Sequence, residues 1–575
     1  MLNKLYIRNF KLFDEVEIDL GERVVFIGPN NSGKTTALQA IALWDVGVKK
    51  WIEKRGAGIP SRKRRAGVTI NRRDLIGLPT PSAILLWKDL HVRKSFRLEG
   101  KQKTRNVVIN IAIEGIGGEG KTWKAALEYD YANEESFYCR PMKGESSDDW
   151  LPVPEEAGKV EIAYLPPMSG LAANEDKLDP GALNVRIGEG RTAEVLRNLC
   201  FLVLTSEDGE RKWDNIVHQM NSLFRVTVDK PIYIPERGAI TMTYRDTSGV
   251  KLDISNSGRG LQQTLLLLAH MSLHPGSVLL LDEPDAHLEI LRQREIYNIL
   301  SDMSEQTNSQ IIAASHSEVI LNEAADRDVL VAFVGKPHRI DDRSSQVAKA
   351  LKSIGFEHYL MAEEQRWVLF LEGSTDLAIL RAFANLLDHP ASEALEKVYA
   401  HYIGNSAQKA REHFYGLKEA VPTLQGYLLL DSTDNYTPHE NNDLLEHVWE
   451  KNEIENYLCN ENALIAYAEN EARNIIGELS AHLGRDAMLK AINDVEKALA
   501  KLGKPSPWDG RLKVSDDFLE PLFRSFFAEL DLPNRMSKSD YHVLVKFVPV
   551  SEVDAEVKAV LDEIYEIHSS AQSKK

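Results

Sequence analysis

The sequence predicts an α/β protein: a nucleotide-binding unit, then a second sheet-and-helix unit, then a mostly helical C-terminal region. Three observations predict it. Gly28-Pro29-Asn30-Asn31-Ser32-Gly33-Lys34-Thr35-Thr36 stands between an apolar run and a helical stretch, the G-x-x-x-x-G-K-[ST] spacing in its strand–loop–helix context. Val278-Leu279-Leu280-Leu281 ends in Asp282-Glu283, as a buried parallel strand does when it delivers carboxylates at its carboxyl end. Past residue 365, two more apolar strands end in acids, at Glu372 and Asp431.

Before the loop, residues 5–13 and 16–20 alternate with period two and read as a strand pair. In the loop, glycines let the backbone curl so that successive N–H groups face phosphate oxygens. Gly28, Asn30, Asn31, Ser32, Gly33, Lys34, Thr35 and Thr36 are the expected nucleotide-binding set. Lys34 would reach the β- and γ-phosphates, Thr35 would offer its hydroxyl to Mg²⁺, and the helix N-terminus favours the anion. Further on, residues 83–87, 107–111 and 125–129 read as strands, and 191–224 as helical with an interruption at Glu207-Asp208-Gly209. Ser255-Asn256-Ser257-Gly258-Arg259-Gly260 is a small turn opening an apolar helix over 264–273, a helix N-terminus open to an anion or simply a capped helix. Asp282 would hold Mg²⁺ with Thr35, and Glu283 would polarise an attacking water. A helix is expected over 285–305 and a strand over 310–317, which sets His316 where it would touch a γ-phosphate.

Net charge is −17, yet residues 49–105 carry 17 Lys and Arg against four acids, including Arg62-Lys63-Arg64-Arg65 and Arg72-Arg73. Such an island suits a phosphate backbone; a solvated face, or pairing with acidic helices elsewhere, is the other reading. Cys139, Cys200 and Cys459 are scattered without metal spacing and read as inert thiols in a reducing compartment. No run of about 18 apolar residues occurs, and residues 1–6 lack the apolar core of a signal peptide. A cytoplasmic protein with no membrane span is expected.

The order of these motifs resembles the ABC-type ATPase heads shared by RecF/SMC-like proteins and the OLD (overcoming lysogenization defect) family. The likeness covers residues 1–340, with the basic stretch at about 49–105 as an insertion. By that resemblance Ser255 to Gly260 is the signature motif, Asp282-Glu283 Walker B, Asp285-Ala286-His287-Leu288 the D-loop and His316 the switch histidine. The signature departs from the transporter wording Leu-Ser-Gly-Gly-Gln and is similar to the OLD-like branch. No residue between Asp74 and Asp89 matches a Q-loop. The resemblance implies ATP with Mg²⁺, held between the loop of one copy and Ser257, Gly258 and Gly260 of another. It therefore implies a homodimer or higher oligomer. No heptad arm of coiled-coil length is visible.

Residues 341–365 read as a linker helix. After it, strands over 367–371, 398–403 and 427–430 alternate with helices over 377–387 and 407–420, as βαβ units require. Parallel-sheet logic gathers Glu372, Asp376, Asp431 and Asp434 at one edge, an oxygen-ligand site for Mg²⁺ or Mn²⁺. Helix capping is the plainer use of such acids, above all for Asp376. The Glu-Gly after the first strand and the acids after a later one resemble a Toprim domain, over 366–470. A head fused to Toprim is the architecture of the OLD family and is also seen in Gabija and related antiphage nucleases. Residues 449–458 are similar to a Glu-Asn-Tyr-Leu stretch that follows Toprim in OLD-like and PARIS-type proteins, which makes Glu453 or Glu455 a further ligand. Here Asp-x-Asp becomes Asp431-Ser432-Thr433-Asp434, so Thr433 takes the second acid's place. Residues 471–575 read as helical, with 541–550 a strand or a buried helix. Lys538 or Lys546 answers to the lysine that meets the scissile phosphate in OLD-like nucleases; for each, a surface lysine is the plain alternative.

The resemblance implies an ATP-regulated, metal-dependent endonuclease acting on nucleic acid in antiphage defence. The alternative is an ATP-hydrolysing sensor or scaffold with an inactive Toprim-like domain that controls a separate effector protein. A transporter ATPase fits neither the second half nor the signature wording.

Overall fold

The computed structural model describes residues 1–58, 67–75, 78, 80–98, 101–117, 120–144, 150–168, 171–172, 174–246, 248–325, 327–340, 354–432, 438–439 and 441–573. The chain divides into two compact units, Met1–Ala348 and Lys349–Lys575.

The first unit holds two six-stranded sheets. One is antiparallel, in the order Phe13–Asp19, Leu2–Phe10, Ile109–Ile116, Thr122–Asn133, Ser136–Pro141, Val68–Asn71. The other runs Ile162–Leu165, Val278–Asp282, Gln310–Ser315, Arg23–Ile27, Val329–Ala332, His338–Arg339, parallel except at its last pair. Every residue of Val278–Asp282 and Gln310–Ser315 is buried, as expected of strands covered on both faces. Leu280, Ile312, Val24 and Phe26 turn to the helix Lys34–Arg55, which shares its core with the antiparallel sheet through Trp44, Trp51 and Tyr129. Leu279, Leu281, Ile311 and Ala313 turn the other way, onto Leu196–Thr205, Gly209–Phe224 and Arg259–Leu273.

Two expectations change here. Residues 83–87 are not a strand: Ala83–Leu86 is a 3₁₀ turn that buries Ala83, Leu86 and Trp87 and exposes Leu85. A short apolar run fits either state, and here an i to i+3 spacing suffices for burial. The helix expected from 285 starts at Ile290, because His287 takes a left-handed φ of 65° and Leu288 N–H closes a turn onto Asp285 O at 3.2 Å. Of the two states expected for residues 541–550, the structure has the helix: they belong mostly to a 3₁₀ helix, Lys538–Phe547, which buries Tyr541, Leu544 and Val545. Of the linker helix, Phe356–Gln365 is observed, and residues 341–353 lie outside the described residues.

The second unit is built on a four-stranded parallel sheet ordered Ala400–Tyr402, Trp367–Leu371, Gln425–Leu430, Leu444–Val448. The chain leaves Trp367–Leu371 to one side for its second strand and returns to the other for its third, so the strand order reverses there. Trp367, Leu369, Leu371, Tyr427 and Leu429 pack in one core with Phe523, Leu544, Val557, Leu561 and Ile564. The helices after residue 470 therefore share the sheet's core rather than forming their own. On the other face, Phe370 packs against rings from Ala400–Tyr402 and from the helix Ala407–Ala420. Among the described residues, no helix is long and apolar enough to cross a membrane.

Candidate functional site

Arg23–Ile27 lies inside the parallel sheet with Ile27 beside Ser315, and Phe26 beside Ala314, which in turn pairs with Asp282. Loop 28–33, Asp282-Glu283 and His316 therefore leave the same edge, level with one another. Gly33, at φ 105°, opens the helix Lys34–Arg55; a Cβ there would stand 2.7 Å from the Phe13 ring, so both conformation and space require glycine. Lys34 is buried and donates from Nζ to the carbonyls of Gly28 at 2.7 Å and Pro29 at 2.8 Å. Burial lowers its pKa, against the pull of Glu283, Asp282 and Asp285. Ser32 Oγ is buried without a hydrogen-bond partner among the described residues, the kind of orphan that a phosphate oxygen would satisfy.

Asp282 accepts from Thr35 Oγ1 at 3.1 Å and from Tyr164 Oη at 3.3 Å. Burial pushes its pKa up to about 6; Thr35, Tyr164 and Lys34 pull it down, and neighbouring Glu283 pushes it up. A desolvated carboxylate touching a threonine hydroxyl is a donor set that fits Mg²⁺. Glu283 is a non-glycine residue at φ 50°, its N–H bonded to Ala314 O at 2.8 Å. That turn carries its side chain off the strand, and Oε1 stands 3.9 Å from His316 Nδ1 with both side chains open to solvent.

The signature turn is braced within itself. Ser257 Oγ donates to Ile254 O at 2.7 Å, and Gln262 Nε2 donates to Ser257 O at 3.0 Å and Ile254 O at 3.2 Å. Asp253 accepts from Ser255 and from the buried Arg197 guanidinium at 2.9 Å. Gly258 caps the helix Arg259–Leu273, and a Cβ on Gly260 would meet His287 O at 2.9 Å, so this helix end lies on the D-loop. Among the described residues, no hydrogen bond or ion pair joins Ser255, Ser257, Gly258 or Gly260 to loop 28–36 of the same chain.

In the second unit, acids expected at the sheet edge converge with others. Glu372 follows Trp367–Leu371, and Asp431 follows Gln425–Leu430 on the neighbouring strand. Asp431 is driven well above the carboxylate range by burial, then by Glu372 at hydrogen-bond range, then by Asp376 and Glu453. Asp376 accepts from Glu372 N at 3.0 Å and Gly373 N at 3.2 Å, so it does cap the helix Ser374–Leu386. Burial nevertheless raises its pKa. Glu455 lies buried in the 3₁₀ turn Ile454–Tyr457 and is pushed up to about 8 by burial, then by Glu453; Lys538 opposes. Glu453 accepts from Ser515 N at 2.5 Å and Ser515 Oγ at 3.0 Å, and Lys538 Nζ donates to that same hydroxyl at 3.1 Å. Lys513 pairs with Asp516 at 3.0 Å, and its charge also acts on Glu453 and Glu372. Lys546 is exposed on the same 3₁₀ helix as Lys538. Thr433 and Asp434 lie outside the described residues. Among the described residues, the carboxylates do not form a set of three whose oxygens all lie within 4.8 Å.

A family model described as "AAA domain, putative AbiEii toxin, Type IV TA system" (AAA_21) matches residues 23–322, more than half of the chain. The chain belongs to the AAA_21 family. The matched span runs from the strand before the phosphate loop to just past His316, so the first unit is an ATP-binding, ABC-type ATPase domain. Two curated relatives are similar over a short part of the chain. The di/tripeptide transport ATP-binding protein DppF of Pseudomonas aeruginosa is 33% identical over 78 residues, 14% of this chain and 24% of that protein. The oligopeptide transport ATP-binding protein AppD of Bacillus subtilis is 29% identical over 77 residues, 13% and 23%. The chain thus spans about a quarter of the length of these relatives. Among solved structures, the SMC head domain from Thermotoga maritima is similar at TM-score 0.31 and 15% identity, over 59% of this chain and 98% of that one. An SMC head bound to the C-terminal domain of ScpA derived from Pyrococcus furiosus reaches TM-score 0.34 at 14% identity, over 61% and 98%.

Several residues of the AAA_21 site escape motif reading. Tyr164 reaches Asp282 because Ile162–Leu165 is the parallel neighbour of Val278–Asp282; its signal is only a four-residue apolar run closed by Pro166-Pro167, which does not say which strand becomes its neighbour. Arg197 and Gln262 brace the signature turn from helices that sequence marks only as apolar. The basic island divides. Lys49 pairs with Asp45 and Glu161, Lys50 with Asp74, Arg72 with Glu135 and Lys88 with Asp89. Arg93, Lys94 and Arg105 are exposed on the hairpin Arg93–Leu98/Lys101–Asn106. Arg62, Lys63, Arg64 and Arg65, with the side chains of Arg73, Arg97, Lys101 and Lys103, lie outside the described residues.

Proposed function

We propose that this protein is an ATP-regulated, metal-dependent endonuclease of OLD type, with an ABC-type first unit and a Toprim-like second unit, acting on nucleic acid in antiphage defence. One observation carries the reading: Glu372, Asp376, Asp431, Glu453 and Glu455 gather with Lys513 and Lys538 at the carboxyl edge of a parallel sheet, where its strand order reverses. Buried carboxylates crowded enough to raise one another's pKa keep protons that Mg²⁺ or Mn²⁺ would displace, the ion offsetting the charge they then carry. Glu372, Asp431 and Glu455 would hold the ion, with Asp376 fixing the turn that carries Glu372. Such an ion lowers the pKa of a bound water and offsets charge building on a phosphodiester. Lys538, tied to the acids through Ser515, would meet the phosphate.

In the first unit, Thr35 and Asp282 would hold Mg²⁺ with ATP, Glu283 would orient the attacking water and His316 would contact the γ-phosphate. The signature turn, braced within itself and unbonded to its own loop, supports a homodimer in which Ser257, Gly258 and Gly260 of one copy close over the loop of another. The exposed cations of the Arg93–Leu98/Lys101–Asn106 hairpin support a nucleic-acid contact. The family description as a toxin of a toxin–antitoxin system accords with a damaging activity kept under control.

A second reading, an ATP-driven sensor with an inert Toprim-like unit and a separate effector, is favoured by Thr433 in the second acid's place and by carboxylates that do not close into a three-ligand set. One experiment separates them. The purified chain is incubated with plasmid DNA or tRNA and Mg²⁺ or Mn²⁺, beside Glu372→Ala and Glu283→Gln. Metal-dependent cutting lost in Glu372→Ala supports the nuclease. No cutting, or cutting that Glu372→Ala leaves intact, overturns it in favour of the sensor.

A further inference from the structure

Three histidines meet on the face of the second sheet that the C-terminal helices leave to others. His401 lies mid-strand in Ala400–Tyr402, in register with Phe370; since Leu369 and Leu371 face the C-terminal core, Phe370 and His401 face away from it. His413 comes from the helix Ala407–Ala420 and His358 from the helix Phe356–Gln365, and both pack over that face. One ring nitrogen from each lies within 4.8 Å of the other two. The His401 and His413 rings stack at 3.8 Å, while His358 stands edge-on to them at 4.9 Å and 5.0 Å. Both nitrogens of His413 are buried without a hydrogen-bond partner among the described residues.

Packing alone explains this poorly. Phenylalanine would fill the same space without carrying two polar nitrogens out of water, and buried polar groups are as a rule satisfied. We propose that His358, His401 and His413 form a binding site for one transition-metal ion of the zinc, cobalt or nickel class, separate from any ion held at the acidic edge. The ligand type sets that class: imidazole nitrogen suits zinc, cobalt and nickel, whereas carboxylate oxygen suits magnesium and manganese. Burial leaves His401 at about 4 and His413 at about 3, so both rings are neutral near pH 7 and each keeps a lone pair to donate.

The stack states what binding would require. An imidazole holds a metal in its own plane, and two planes inclined by 13° and stacked cannot both contain one ion. His401 or His413 must rotate about Cβ–Cγ, a soft torsion, to bring the nitrogens to the separation of about 3.3 Å that a tetrahedral site with normal bond lengths sets. The ion would then tie two covering helices to the sheet's outer strand and keep a fourth position for water. The proposal stands independently of the nuclease reading, because it uses none of the acidic residues.

The test uses the full chain, tag removed and stripped with chelator, in excess Mg²⁺ to fill the oxygen sites. Co²⁺ is added while its visible ligand-field absorption is followed, then Zn²⁺ is added in competition. The expected result is one equivalent of Co²⁺ with the intense spectrum of a four-coordinate nitrogen site, displaced by one equivalent of Zn²⁺ and accompanied by a rise in Tm. Loss of that spectrum in His413→Phe and in the milder His401→Gln, with Glu372→Ala unaffected, supports the site. Absence of the spectrum in the unaltered protein overturns the proposal whatever the variants do. So does a spectrum that both histidine variants keep, or one that Glu372→Ala removes.

Discussion

Two sheet edges in this chain use the same device, carboxylates at the ends of parallel strands, in opposite electrostatic settings. In the first unit Asp282 has a hydroxyl on each oxygen, from Thr35 and Tyr164, and Lys34 nearby. In the second, Asp431 faces Glu372 at hydrogen-bond range, with Asp376 and Glu453 close behind, while Lys513 and Lys538 approach from the rim. At the first edge hydroxyls and Lys34 offset part of the charge of Asp282, Glu283 and Asp285, and the phosphate loop beside them is shaped to add one anionic ligand with its cation. The second carries an excess of negative charge that only protons or cations from outside relieve. Position at a strand end therefore says where a ligand binds; the neighbours of the carboxylate say what charge it brings.

The contrast is open to direct attack. Lys34→Ala removes the cation of the first edge and should lower ATP hydrolysis roughly 100-fold or more, measured as phosphate release. Glu283→Gln should slow hydrolysis by about 100-fold while nucleotide stays bound, read by single-turnover assay and retention of labelled ATP. At the second edge the signature is pH. Burial raises Glu455 to about 8, and Asp431 is raised too, so the folded unit holds protons that the unfolded chain has released. Their stabilising contribution is complete below the ordinary carboxylate range and is lost as pH rises through about 8. Without divalent ions, the melting temperature should fall from pH 5 to pH 8.5, and millimolar Mn²⁺ should flatten the slope; an unchanged slope would separate this edge from metal binding. The smallest effect belongs to Tyr164→Phe, which removes one donor from Asp282. About 1 kcal/mol, near fivefold in Mg²⁺-dependent nucleotide affinity, is expected by titration calorimetry.

The two edges were also unequally legible. The phosphate loop, the Asp282-Glu283 strand and His316 follow from spacing, because a phosphate cradle demands fixed residues at fixed steps along one chain segment. Their partners do not: Tyr164, Arg197 and Gln262 are set by which strands and helices become neighbours, and no local pattern records that. At the second edge, Glu372 and Asp431 could be read as strand ends. Glu453 and Glu455 come only with the resemblance of residues 449–458, and Ser515 and Lys513 converge on them through a bundle whose packing the sequence states only as apolar periodicity. The 3₁₀ turn at Ala83–Leu86 illustrates the same limit: four apolar residues are compatible with either state until a surface arrives to cover them.

The shared core of the second unit has a consequence for how the protein is made. Trp367 and Leu369 pack in one cluster with Val557, Leu561 and Ile564, and Tyr427 donates to Glu563 at 2.6 Å. These contacts join segments far apart in sequence, so the cover of the sheet is incomplete while the ribosome is still short of the helix Ala555–Ser573. Until then the strands that carry Glu372 and Asp431 keep part of one apolar face in water. The acidic edge is thus among the last parts of the chain to acquire a fixed shape, after the nucleotide-binding unit, finished some 200 residues earlier on the chain, has had time to fold.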